Sequence, residues 1–170
     1  MSKNKPVVMI GLMGSGKSTA GRLIAEALGL PFTDSDSYLR ATHGGTAAEI
    51  VAREGADALH HYEAEHVLHE LGGEPKVIAA AASTLEDVRV RAALRREAHV
   101  VWLDAADAIL AERMKSGSHR PGFSPTAMRA RREAYFVEVA DLKCDVGVMS
   151  PERVRDAVLR EIRLPPDERD

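Results

Sequence analysis

A glycine-rich stretch that ends in lysine and serine carries the clearest chemical signal in this chain. Residues 11–18 read GLMGSGKS, which fits the pattern G-x-x-x-x-G-K-[ST]. Glycines let the backbone wrap closely around a phosphate, and the N-terminus of a following helix attracts its negative charge. Lys17 can bridge the β- and γ-phosphate oxygens, and the Ser18 hydroxyl can coordinate Mg²⁺. The stretch therefore predicts binding of a nucleoside triphosphate together with Mg²⁺.

The segments on either side of this stretch are those that such a loop requires. Residues 6–10 form a short apolar run, PVVMI, which is typical of a buried parallel strand. Residues 18–28 place apolar side chains on one helix face, and Gly29 is predicted to end that helix. Because a strand leads in and a helix leads out, a glycine turn without a ligand explains the motif poorly.

Strands and helices alternate along the rest of the chain. Further strands are predicted at about 30–33, 77–82, 99–103 and 145–149. Helices are predicted at about 46–53, 56–71, 85–96, 105–115, 126–140 and 151–162. This alternation favours an α/β fold with a parallel sheet, in a single domain over residues 1–163. Residues 116–124 are predicted to form a loop, and residues 164–170 a frayed tail.

Composition and charge limit the classes of function. The chain has 170 residues, 45% of them hydrophobic and 29% charged, as in ordinary globular proteins. It carries 23 basic and 26 acidic residues, and its arginine-rich stretch at 89–96 lacks aromatic residues, so no nucleic-acid partner is expected. No apolar run approaches the ~20 residues that span a bilayer, so no membrane association is expected. The single cysteine, Cys144, cannot form an internal disulfide, which fits the reducing cytoplasm.

Several classes of nucleotide-binding protein remain after these exclusions. A guanine-reading N-K-x-D motif is absent, and the chain is shorter than most motor or helicase ATPases. Small kinases that phosphorylate metabolites fit the length. Two other interpretations stay open, a nucleotide-binding protein without catalytic activity and a kinase that acts on nucleosides or nucleotides.

Among small P-loop kinases, the chain resembles the shikimate kinase family along nearly its whole length. The resemblance is carried by GLMGSGKST at 11–19, FTDSD at 32–36, EIVAREG at 49–55, Arg120-Pro121, and REAYFVEVADL at 132–142. It implies a P-loop NTPase-type sheet of five parallel strands and a short mobile lid at about 116–125. It also implies that the protein moves the γ-phosphoryl group of ATP, with Mg²⁺, to a hydroxyl of shikimate or a related small polyhydroxylated metabolite. We expect a monomer whose partner is this small-molecule acceptor.

The resemblance assigns roles to individual residues. Contacts to ATP are expected from Gly11, Met13, Gly14, Ser15, Gly16, Lys17, Ser18, Thr19, Arg113 and Arg120. Of these, Arg113 would lie against the adenine, and Arg120 would close over the phosphates from the lid. The expected catalytic residues are Lys17, Asp34 and Arg120, with Ser18 and Asp34 near Mg²⁺. The expected acceptor-binding residues are Asp36, Arg132, His60, Ala82 and Ser83.

The acceptor half departs from the family pattern in three places, of which one is the short lid, because twelve positions separate Arg120 from Arg132 and the family usually has more. The family usually has an arginine where this chain has His60, and a glycine run where it has Ala81-Ala82-Ser83. Arginine is a permanent bidentate donor, whereas neutral histidine offers one donor. Each added Cβ also takes up space beside the ligand. We therefore expect an acceptor pocket of altered chemistry and a smaller volume.

Some of these polar residues also have a purely structural interpretation. Asp34 or Asp36 can cap the helix that follows the FTDSD segment. Arg129, Arg131 and Arg132 are close neighbours on one predicted helix, so one of them can be surface charge only. The sequence leaves both interpretations open.

Overall fold

Five parallel strands form one sheet in the order β2-β3-β1-β4-β5. These strands are β1 (Val7–Ile10), β2 (Phe32–Asp34), β3 (Val77–Ala79), β4 (His99–Asp104) and β5 (Leu142–Asp145). The computed structural model describes residues 5–115 and 124–163. Central strand β1 pairs Val7 with Val77 on one side and with His99 on the other. The predicted α/β fold with five parallel strands is confirmed.

Helices connect the strands and flank the sheet. They are α1 (Lys17–Leu28), α2 (Ser35–His43), α3 (Ala47–Glu54), α4 (Ala56–Leu71), α5 (Val88–Glu97), α6 (Asp107–Met114), α7 (Pro125–Val139) and α8 (Pro151–Arg163). A 3-10 helix, Ala82–Glu86, lies between β3 and α5. Helix α1 packs on α8, and α5 packs on α7 and on the 3-10 helix.

Local sequence explains where several of these elements begin and end. All four residues of β1 are buried, as expected for a central strand covered on both faces. Helix α1 ends at Gly29, which adopts a left-handed φ of 66°. Helix α3 begins with a capping box, in which Thr46 Oγ1 accepts the Glu49 N–H at 3.2 Å and Glu49 Oε2 accepts the Thr46 N–H at 3.0 Å.

Two strand predictions place a boundary wrongly. Strand β3 ends at Ala79, not at residue 82, because the chain turns into the 3-10 helix, where the Thr84 N–H and hydroxyl both donate to the Ala81 carbonyl. Strand β5 spans 142–145, not 145–149. It ends because Asp145 Oδ1 accepts the Gly147 N–H at 2.9 Å and so closes a turn.

The buried apolar side chains form two separate clusters. The main core surrounds the sheet and includes all of β1. The second is small and consists of Leu39, Ile50 and Leu59, which join α2, α3 and α4 and are each fully buried. We call this second set the α2–α4 cluster.

Two predicted segments fall largely outside the described residues. These are the lid at about 116–125, of which 124 and 125 are described, and the tail at 164–170. Within 5–115 and 124–163, no helix is long and apolar enough to cross a membrane.

Candidate active site

The phosphate loop joins β1 to α1 at the carboxyl edge of the sheet. Gly11, Gly14 and Gly16 have φ values of 148°, 84° and 86°, in the region that favours glycine. A Cβ at Gly11 would lie 2.4 Å from the Leu103 carbonyl oxygen, so this position also needs glycine for close packing on β4. The loop therefore has the backbone shape that cradles a phosphate. Met13 and Ser18 are half-buried beside it, and Thr19 is exposed.

Lys17 is the first residue of α1 and folds back over the loop. Its Nζ donates to the Gly11 carbonyl at 2.7 Å and lies 3.3 Å from the Leu12 carbonyl oxygen. Burial lowers the pKa of Lys17 to about 8, and the nearby Glu63 carboxylate opposes that decrease. Arg132 lowers the Lys17 pKa further, whereas Asp36 raises it. Lys17 is thus a partly desolvated cation that a phosphate can neutralise.

Asp34 lies at the end of β2 and is almost fully buried, at 8% exposure. Its Oδ1 accepts the Ser37 N–H at 2.8 Å, which caps α2, and its Oδ2 lies 3.3 Å from Arg22 Nη2. The capping interpretation is therefore correct for Asp34. Each carboxylate oxygen has a second lone pair, so the cap does not prevent contact with a metal-bound water or a hydroxyl. Asp36 is exposed in the first turn of α2.

The opposite wall of the site contains buried polar groups from three elements. Glu63 of α4 is 3% exposed and accepts a hydrogen bond from Ser83 Oγ at 3.2 Å. Arg132 of α7 is 8% exposed, and its Nη2 lies 3.6 Å from Glu86 of the 3-10 helix. Burial lowers the pKa of Arg132, while Glu86 and then Glu63 counteract the decrease. Lys17, Glu63 and Arg132 are therefore electrostatic neighbours.

Two of the three departures from the family pattern lie beside this wall. His60 is half-buried on α4, three residues before Glu63 and directly after fully buried Leu59. Ala82 and Ser83 are the first two residues of the 3-10 helix. Ser83 is buried, and its hydroxyl donates a hydrogen bond to the Glu63 carboxylate. The serine thus adds a polar contact as well as a Cβ.

Arg113 of α6 joins the phosphate loop to the segment after β5. Its Nη1 lies 3.3 Å from the Gly14 carbonyl oxygen, and its Nη2 donates to the Val146 carbonyl at 2.7 Å. This position next to the loop is compatible with the expected contact to the nucleotide base. Arg120, the other expected cation of the nucleotide half, lies outside the described residues.

The three neighbouring arginines of α7 have different surroundings. Arg129 contacts Asp107 at 2.7 Å and Asp104 at 2.9 Å, so it ties α7 to the end of β4. Arg131 is 62% exposed and contacts Glu86 on the surface. Of the three, Arg132 is the one that lies among the residues near Lys17.

Glu63 is a site residue that the sequence analysis missed. A signal was present, because Leu59, Glu63 and Val67 recur at four-residue spacing on one helix face, and all three are buried. An acidic residue inside an apolar stripe is rarely buried without partners. The partners themselves, Ser83 and the two cations, could not be identified from that spacing.

Comparison with known proteins gives one consistent result. The model of a family described as "Shikimate kinase" matches residues 13–163. A shikimate kinase of Symbiobacterium thermophilum is 38% identical over 146 residues, which cover 81% of this chain and 84% of that protein. A shikimate kinase of Zymomonas mobilis is 32% identical over 147 residues, covering 86% of this chain and 81% of the relative.

A solved structure shows the same fold at lower sequence identity. Shikimate kinase from Acinetobacter baumannii in complex with shikimate superposes with a TM-score of 0.85 and 23% identity. The superposition covers 92% of this chain and 91% of that one.

Proposed function

Because the chain belongs to the shikimate kinase family and is a small-molecule kinase, we propose that it transfers the γ-phosphoryl group of ATP to a hydroxyl of shikimate. One observation carries the assignment of its site. The phosphate-loop cation Lys17 has Asp36, Glu63 and Arg132 as its charged neighbours. A loop built for phosphate thus has charged groups from α2, α4 and α7 near its lysine, and an acceptor held among them would lie beside the transferring group.

The residues of the nucleotide half fit ATP and Mg²⁺. The glycine φ values form the cradle, and Lys17 supplies positive charge beside it. Ser18 in the first turn of α1 and Asp34 at the end of β2 are the oxygen donors that would hold Mg²⁺, directly or through water. When bound, Mg²⁺ neutralises phosphate charge. Arg113 would contact the base, and Arg120 stays a predicted lid residue.

The residues of the acceptor half are assigned by charge and position. Arg132 would bind the carboxylate of the acceptor, because it is a buried cation whose Nε has no hydrogen-bond partner among the described residues. Asp34 would orient the attacking hydroxyl, and Asp36 would bind the other hydroxyls. His60, Ala82 and Ser83 would shape the pocket around the ring. A monomeric state and a cytoplasmic location remain predictions from the sequence.

A coupled assay of ADP release tests this function. Mg-ATP is supplied with and without shikimate, and quinate and simple polyols serve as parallel acceptors. We expect shikimate-dependent turnover in the wild-type protein and a loss of about a thousandfold or more in Lys17→Ala, since phosphoryl transfer depends on charge neutralisation. Lys143→Ala is the matched control, because that lysine is 54% exposed and contacts Asp104 outside the site.

Two results would contradict the proposal in different ways. Turnover with another acceptor but none with shikimate would mean that the kinase is correctly assigned and its substrate is not. Tight ATP binding with no ADP release for any acceptor would favour a nucleotide-binding protein without catalytic activity.

A further inference from the structure

The Asp34 carboxylate is held at both of its oxygens, by donors from two different helices. Oδ1 accepts the Ser37 N–H of α2 at 2.8 Å, and Oδ2 accepts Arg22 Nη2 of α1 at 3.3 Å. A carboxylate held through one oxygen can still turn about its Cβ–Cγ bond, because that torsion has a broad energy minimum. A donor on each oxygen fixes the plane of the group. The plane of Asp34 therefore depends on Arg22 as well as on the helix cap.

The ring of Phe32 supports the Arg22 guanidinium in this position. Phe32 precedes Asp34 by two residues on β2, so the two side chains leave the strand on the same face. The Cζ atom of Arg22 lies 4.9 Å from the centroid of the Phe32 ring, within the range of cation–π attraction. The ring reaches α1 this closely because residue 21 is glycine, where a Cβ would lie 2.8 Å from Phe32 Cε2. Gly21 and Phe32 together direct Arg22 toward Asp34.

Fold stability gives little reason for this ion pair. The Arg22 side chain is 60% exposed, and pairs with an exposed cation contribute about 0–1 kcal/mol to stability. The structural task of Asp34, the cap of α2, uses the other carboxylate oxygen. The contact with Arg22 thus has its main consequence for the orientation of Asp34.

We propose that Arg22 is a positioning residue that fixes the plane of the Asp34 carboxylate for phosphoryl transfer. The inference rests on the proposed function, in which Asp34 orients the attacking hydroxyl and helps to hold Mg²⁺. Partners that orient a carboxylate of this kind affect the reaction through that carboxylate. The loss of Arg22 therefore slows the chemical step more than it weakens the binding of either substrate.

The kinetic test compares Arg22→Gln with wild type at saturating Mg²⁺. We expect kcat to fall about 10–100-fold, with much smaller changes in the KM for shikimate and in the KM for ATP. Arg22→Lys keeps the positive charge and should recover part of the lost kcat. Arg160→Gln is the matched control, because Arg160 is an exposed arginine in the last turn of α8, which packs on α1. It should keep the kcat of wild type.

A second variant tests the support of Arg22 without removing the arginine. Phe32→Leu keeps an apolar side chain on β2 and removes the aromatic ring, so we expect kcat to fall a few fold. Thermal melting of every variant separates a loss of folded protein from a change in the reaction. An unchanged kcat in folded Arg22→Gln and Phe32→Leu would overturn the inference.

A spectroscopic readout separates this inference from the proposed function. In ¹⁵N-labelled protein without ligands, the Ser37 amide reports on the Asp34 carboxylate, because it donates to Oδ1. We expect Arg22→Gln to move the Ser37 amide proton resonance, Arg22→Lys to return it toward its wild-type position, and Arg160→Gln to leave it unchanged. If shikimate is not a substrate, this result still supports the positioning role. If the resonance stays in place in Arg22→Gln, Arg22 does not position Asp34, whatever the acceptor.

Discussion

His66 shows at the scale of one residue how burial changes chemistry. It lies on α4 at 0% exposure, between Thr33 Oγ1, which is 3.1 Å from Nε2, and the ring of Tyr38, whose centroid is 4.8 Å away. Burial lowers the pKa of His66 to about 4, and the nearby carboxylates Glu70 and Asp34 only partly oppose the decrease. The imidazole is therefore neutral in the folded protein at physiological pH.

This burial predicts a loss of stability in acid. The unfolded chain protonates His66 near pH 6.5, whereas the folded protein does so near pH 4. Between these values the unfolded state binds more protons, so the free energy of unfolding falls as the pH falls, by up to roughly 3 kcal/mol. Urea unfolding at several pH values between 7.5 and 4.5 measures this decrease in the free energy of unfolding. In His66→Gln, the free energy of unfolding should fall less steeply with decreasing pH than in wild type. His69→Gln is the control, because His69 is exposed on the same helix, and its decline should match that of wild type.

Lys17 predicts a pH dependence of nucleotide affinity. Its pKa of about 8 belongs to the protein without ligand, and a bound phosphate favours the protonated form. Above pH 8, ATP must therefore bind together with a proton, and the Kd should rise by up to about tenfold per pH unit. Calorimetry between pH 7 and 9 in two buffers of different ionisation enthalpy measures the Kd and the proton uptake. A constant Kd over this range would contradict the prediction.

At the scale of elements, the site depends on how β1, the phosphate loop and α1 join. Gly11 is the position where this junction tolerates no side chain, because the Leu103 carbonyl of β4 blocks the space. Gly44 has a similar requirement for left-handed backbone, with a φ of 68°, but a Cβ there would meet nothing within 4 Å. A side chain at residue 11 would therefore meet both a steric clash and backbone strain, whereas one at residue 44 would meet backbone strain without a clash.

Alanine at these two positions gives a matched pair of variants. Gly11→Ala should lose several kcal/mol of stability and most of its ATP affinity, because the loop must move away from β4. Gly44→Ala should lose about 1 kcal/mol, the cost of left-handed strain, and keep its ATP affinity. Chemical denaturation and ATP titration measure both. Equal ATP affinity in the two variants would show that the loop adapts to a Cβ at residue 11.

At the scale of the whole molecule, both apolar clusters reach the candidate site, and α4 contributes Val67 to the main core and Leu59 to the α2–α4 cluster. The main core supports β1 and the phosphate loop, while the α2–α4 cluster joins the helices that carry Asp36, His60 and Glu63. Because this second cluster has three fully buried members, we expect its loss to affect the proposed acceptor half while the sheet remains intact.

Ile50→Ala tests this division. Ile50 is fully buried, and truncating such a side chain costs about 2–5 kcal/mol. We expect faster hydrogen exchange in α2 and α3, a higher KM for shikimate and an unchanged Kd for ATP, with β1 and β4 still protected. Leu94→Ala in the main core is the comparison, and it should weaken protection of the sheet instead. If hydrogen exchange in Ile50→Ala became faster by the same factor in the helices and in the sheet, the two clusters would unfold as one cooperative unit, against this expectation.

The sequence by itself determined the features that depend on residues close together in the chain. The phosphate loop, the strand before it and the end of α1 at Gly29 follow from glycine conformations and short periodic patterns, and the structure has all three. The alternation of strands and helices likewise determined the α/β class. The similarity of segments such as FTDSD pointed to the family.

Only the tertiary structure decided the features that depend on distant parts of the chain. Strand β5 shifted to 142–145 because its limits are determined by pairing with β4 and by a turn at Asp145. Glu63 meets Ser83, twenty residues later, and becomes a neighbour of Lys17 and Arg132. Sequence patterns report which face of a helix is buried. The tertiary packing decides which charged side chains meet on that face. Here α1, α4, the 3-10 helix and α7 come together at the carboxyl edge of the sheet, and the side chains that meet there are distant in sequence.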